Sequence, residues 1–150
     1  MKIKTFKGKL AMGLQEKIHL STNDGLTGYR INKFQIISET PGVSNVEMIA
    51  QIFTTDQTGS ISAAVDFSNA DLLAIATYFG EQTTKILNDY IIFDNETFNQ
   101  DIFINITDAG GNTVECNFYL ELEQFKIDLN TSTFHTLKNI RTETQTSFTV

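Results

Sequence analysis

Residues 113–127, TVECNFYLELEQFKI, alternate over a long stretch, with Val114, Cys116, Phe118, Leu120 and Leu122 on one face. Period two is the signature of a half-buried strand. Residues 100–107 alternate as well, with Ile102, Ile104 and Ile106 opposed to Asp101, Phe103, Asn105 and Thr107. Gly110-Gly111 between the two runs predicts a β-hairpin. Residues 14–20 place Leu14, Ile18 and Leu20 on one side. Residues 28–37 change face near Lys33, from Tyr29 and Ile31 to Phe34 and Ile36, which predicts a bulge or a twist. Residues 46–54, VEMIAQIFT, are apolar on both sides, as in a strand covered on both faces. Shorter strands are expected at 61–67 and 90–93, with a loop over 81–89.

One segment reads as a helix. Ser68 stands as N-cap with Asp71 three residues on, Leu72, Leu73, Ile75, Ala76 and Phe79 follow at helical spacing, and Gly80 suits the end. A short helix is therefore expected around 68–79. A second short helix or irregular turn is expected around 130–140, where Phe134, Leu137 and Ile140 are three residues apart. Many short strands with so little helix predict a mainly β fold, an antiparallel β-sandwich of jelly-roll type or a barrel. The expected organisation is a basic arm over 1–13, a single β domain over 14–141 and a polar tail over 142–150.

Charge sharpens the arm. The chain of 150 residues has net charge −7. Residues 1–17 hold five lysines against Glu16, a local charge of +4, which leaves −11 on the rest. An acidic body argues against sequence-neutral DNA binding. Lys2, Lys4, Lys7 and Lys9 are the candidate interface residues, an arm to be laid on the acidic body of a neighbour, the alternative being an edge strand paired within its own sheet. Met1 and Val150 are expected to be tied down by such contacts. No run of 18 apolar residues occurs, so no spanning helix is expected, and the N-terminus lacks the apolar core of a signal peptide.

Chemistry is sparse. Cys116 is the one cysteine, and it shares the apolar face of its strand, which predicts a buried inert thiol. His19 and His135 have no local partner and read as surface or interface residues. Glu115, Glu121 and Glu123 recur at even spacing on the solvent side of a strand, where acids are ordinary. Asp94, Glu96 and Asp101 carry hard oxygen ligands suited to calcium, but without the spacing of an EF-hand loop, and a solvated turn accounts for them. No catalytic constellation and no cofactor is expected.

Four phrases, Leu26–Phe34, Ile92–Phe103, Cys116–Glu123 and Thr136–Arg141, resemble small virion structural proteins of marine tailed bacteriophages. The resemblance spans about residues 26–141 and carries no active-site motif. It implies a non-enzymatic virion component assembled in the bacterial cytoplasm. The expected role is a capsid decoration or cement protein that stabilises the phage head. Its partners would be the major capsid protein or other virion proteins and copies of itself, a trimer being expected, with no nucleic acid and no membrane. The alternative is a tail or fibre module that binds host-surface glycans.

Overall fold

The structure, a computed structural model, describes residues 2–42, 45–80, 86–93 and 96–148, with the backbone alone at 86 and 141–148. Met1 and Val150, expected to be tied down, lie outside the described residues, as does the 81–85 part of the expected loop. Eight strands precede one helix: β1 (Lys2–Leu10), β2 (Gln15–Ile18), β3 (Thr27–Ser38), β4 (Val46–Phe53), β5 (Leu72–Gly80), β6 (Ile86–Ile92), β7 (Ile102–Asp108), β8 (Cys116–Lys126) and α1 (Leu129–Phe148). They form a three-stranded sheet, β1-β8-β3, and a five-stranded sheet, β2-β7-β4-β5-β6. Among the described residues every strand pairing is antiparallel.

The pairs nest. β1 takes β8, β2 takes β7 and β4 takes β5, while β6 also lies against β3, where Asn88 Nδ2 donates to the Ile36 carbonyl at 3.3 Å. This is the order of one long hairpin rolled into two sheets, a jelly-roll sandwich. The inward faces meet in one core. Phe34, Ile36, Phe118, Leu120 and Leu122 come from the first sheet, and Met48, Ile52, Tyr78, Ile104 and Ile106 from the second, with Ala50, Ala74 and Ala76 among the larger chains. Each fully buried Leu, Ile or Phe contributes roughly 1.5–3 kcal/mol.

The bulge in β3 is present as a register shift between Ile31 and Lys33, which lets Ile31 and Phe34 both face the core. β4 is buried on both faces because residues 54–71 fold back over its outer side. Gln51 Nε2 donates to the Ala64 carbonyl at 3.3 Å, and the ends of the segment join where Thr54 N donates to Asp71 O at 3.0 Å.

Four expectations are corrected. Residues 86–89, expected as loop, belong to β6 and pair with β5. Residues 72–80 are strand β5, not the end of a helix over 68–79. β5 lies inside its sheet and is covered on both faces, so nearly every position is apolar and a helical spacing fits by accident. The presumed cap residues make turns: Ser68 N donates to Asp66 Oδ1 at 2.9 Å, and Asp71 N to Asn69 Oδ1 at 2.9 Å. Residues 61–67 form no strand and are mostly exposed. Lastly, β7 and β8 are not a hairpin. They belong to opposite sheets, and residues 109–115 carry the chain across the sandwich. Alternation sets which face is buried but says nothing of which strand lies alongside.

The basic arm is β1 itself, hydrogen-bonded along its length to β8 from Lys2↔Gln124 to Leu10↔Cys116. The helix expected around 130–140 is α1, whose backbone runs on through the 142–148 part of the tail.

Candidate docking surface

β1 is an edge strand, and among the described residues β8 is its one strand partner. Its lysines do not form a single patch. Lys2 and Lys4 share the parity of Phe6, Gly8 and Leu10, which point toward the core side, and Lys4 Nζ lies 5.8 Å from the Phe6 ring centroid. Lys7 and Lys9 share the outer face with Tyr119 and Asn117. The odd separation of Lys4 and Lys7, three positions with Thr5 and Phe6 between them, produces this split. Lys9 is already paired within the chain, to Glu39 at 2.8 Å and Glu115 at 3.2 Å. Hydrogen bonds from Lys9 to those two carboxylates hold its pKa above the usual lysine value. Lysines on an exposed edge discourage indiscriminate strand addition.

The acids of β8 are balanced across the sheet. Glu121 stands opposite Lys33, and Glu123 opposite Arg30. Cys116 is buried, and desolvation pushes its thiol up to about 12, so it is neutral and sheltered.

α1 supplies the second part of the surface. Asp128 caps it, accepting from Thr131 N at 2.7 Å, and that bond holds the carboxyl below its ordinary value. One side of the helix is seated by polar contacts. Ser132 Oγ donates to Gly25 O at 2.6 Å, Asn99 Nδ2 donates to Thr136 Oγ1 at 3.0 Å, and Lys138 pairs with Glu96. Gly25 is required at this seat. Its φ is +67°, and a Cβ there would lie 2.8 Å from Ser132 Oγ. Burial and then the Lys138 charge push the His135 imidazole below its ordinary pKa. The other side of α1 leaves Leu129, Phe134, Leu137 and Ile140 exposed, at 69%, 63%, 60% and 52%. The three-residue spacing of the last three was visible in the sequence, but their exposure was not. Gly25, Asn99 and Ser132, which seat the helix, carried no local signal because they are far apart in the chain.

The suggested calcium set does not assemble among the described residues. Asp94 lies outside them. Glu96 is paired with Lys138. Asp101 Oδ1 accepts from Leu20 N at 2.7 Å and Ser21 N at 2.8 Å, with Lys17 at 3.5 Å and His19 at 3.9 Å from Oδ2. Burial pushes the Asp101 carboxyl up, but the Ser21 and Leu20 amides outweigh it and hold the pKa below the ordinary 3.8. Asp101 is thus a clasp between the end of β2 and the start of β7. His19 has a partner after all, 82 residues away in sequence and invisible there.

No family model and no curated protein matches the chain. A solved structure, the crystal structure of the Drosophila NLP core, described as giving insight into pentamer formation and histone binding, is similar over 85% of this chain and 98% of its own, with 8% identity and a TM-score of 0.44.

Proposed function

We propose that the chain is a non-enzymatic virion structural protein, a capsid decoration or cement protein that docks on the major capsid subunits of a phage head. The observation that carries this reading is the apolar side of α1, where four large side chains stand exposed together at the end of a well-packed sandwich. Contiguous exposed apolar groups on a soluble domain mark an interaction surface. The exposed β1 edge adds backbone donors and acceptors and the positive charge of Lys2, Lys4 and Lys7. The resemblance of residues 26–141 to virion proteins supports the choice of partner. Many weak copies on one lattice would stabilise it by mass action and multivalency, with homo-trimers as the expected unit.

Electron cryomicroscopy of particles carrying the chain tests this directly. Density for the sandwich on the head, with α1 against capsid subunits, is the expected result. Density at the tail tip alone would overturn it in favour of the second reading, a tail or fibre module that binds host-surface glycans. That second reading has its own support in a polar cavity on the far side of the five-stranded sheet.

A further inference from the structure

Residues 54–71 cover the outer face of the five-stranded sheet but do not fill the space beneath them. A cavity of about 190 Å³ remains between the segment and the strands. Its floor is two amides, Gln51 on β4 and Asn105 on β7, which are cross-strand neighbours and 3% and 2% exposed. The Asn105 carbonyl oxygen Oδ1 is buried and accepts no hydrogen bond from the described residues. An unsatisfied buried acceptor is costly and calls for a partner. Phe53 forms an apolar wall, and Ser60, Ser62 and Asp66 line the exposed rim. The Ser68 hydroxyl and amide hydrogen-bond the Asp66 carboxylate and lower its pKa, so it is ionised at neutral pH.

We propose that this cavity binds one neutral, polyhydroxylated ring, a single hexose-type unit of a glycan. Amides and hydroxyls both donate and accept, as sugar hydroxyls do, and a hydroxyl donated to Asn105 Oδ1 satisfies the orphaned acceptor. Phe53 offers a surface for the C–H face of the ring. Other ligand classes fit worse. A divalent cation wants several carboxylates, and among the described residues Asp66 is the one carboxylate in the lining. Among the described residues no Lys or Arg lines the cavity, so an anion would meet Asp66 without compensation. An apolar ligand would leave Asn105 unsatisfied. The volume, roughly six waters at about 30 Å³ each, is below that of drug-sized sites and limits the occupant to one ring. The inference does not depend on docking through α1, and it gives the glycan-binding reading its site.

The test is saturation-transfer NMR with isothermal titration calorimetry on the full chain. The probes are glucose, galactose, mannose, rhamnose and N-acetylglucosamine, with calcium chloride, inorganic phosphate and spermidine as competing classes. At least one sugar is expected to bind in the millimolar range. Asn105→Leu should lose at least tenfold in affinity without a fall in melting temperature, because it replaces an unsatisfied amide by an apolar group of similar shape. Ser62→Ala and Asp66→Asn, on the exposed rim, provide the same reading if Asn105→Leu does not fold. Absence of binding by every sugar, unchanged affinity in the variants, or binding of calcium, phosphate or spermidine in place of sugar overturns the proposal. Sugar binding that survives Phe134→Ser, and particle binding that survives Asn105→Leu, would separate this site from the docking surface.

Discussion

Replacing Asp101 removes a clasp whose size follows from its geometry. One carboxylate oxygen accepts from both Leu20 N and Ser21 N, at 2.7 and 2.8 Å. Hydrogen bonds to a charged acceptor contribute roughly 1.5–3 kcal/mol each when sheltered. The Leu20 amide is part-buried and would be left without an acceptor, whereas the Ser21 amide is exposed and returns to water. The Lys17 pair is half exposed and adds a few tenths at most. Asp101→Ala should therefore cost about 3 kcal/mol, and Asp101→Asn, which keeps a neutral acceptor, about 1 kcal/mol. At roughly 2–4 °C per kcal/mol for a domain of this size, the melting temperature should fall by about 9 °C and about 3 °C. Differential scanning calorimetry at neutral pH reads both. The folded pKa of Asp101 lies below the ordinary 3.8. Its stabilisation is thus fully present above the unfolded value and is lost as pH falls through the folded one, so the gap between wild type and Asp101→Asn should close as the pH falls below the ordinary carboxylate value. An Asp101→Ala protein melting with the wild type, or a gap that persists undiminished in acid, would refute the clasp. A stabilisation by millimolar calcium that both variants abolish would make Asp101 a cation ligand instead.

Three further outcomes are expected. Phe134→Ser with Leu137→Ser, at positions 63% and 60% exposed, should change stability by less than about 0.5 kcal/mol per site yet abolish particle association in a sedimentation assay; retained association would sink the docking surface. Gly25→Ala forces a side chain into the left-handed region at roughly 1–2 kcal/mol and pushes on Ser132, so circular dichroism should show a lower melting temperature and reduced helical signal. An unchanged spectrum would show that α1 does not depend on this seat. Cys116, neutral with a pKa of about 12 and buried, should resist a thiol-specific disulfide reagent in the native state and react fully in denaturant; rapid native labelling would contradict its place in the core.

Local pattern carried the features that a strand decides by itself. The face switch at Lys33, the double burial of β4 and the alternation of β8 were all legible, because side chains alternate whatever the partner strand. The same rule misled at β5, where burial on both faces removes the polar positions that would separate a strand from a helix. Gln51 is the single polar residue of the stretch MIAQIF, and Asn105 that of IFINI. Nothing local revealed that the register pairs them under residues 54–71.

By itself, then, the sequence determined the class of fold, most strand positions and the concentration of positive charge near the N-terminus. Tertiary structure decided what those elements do. It divided the lysines of β1 between two faces, set β7 and β8 in opposite sheets, turned Asp101 into a clasp and left Leu129, Phe134 and Leu137 of α1 exposed. Periodicity is a property of neighbours along the chain, whereas pairing, docking and cavities join residues tens of positions apart, whose proximity arises only when the two sheets close on a common core.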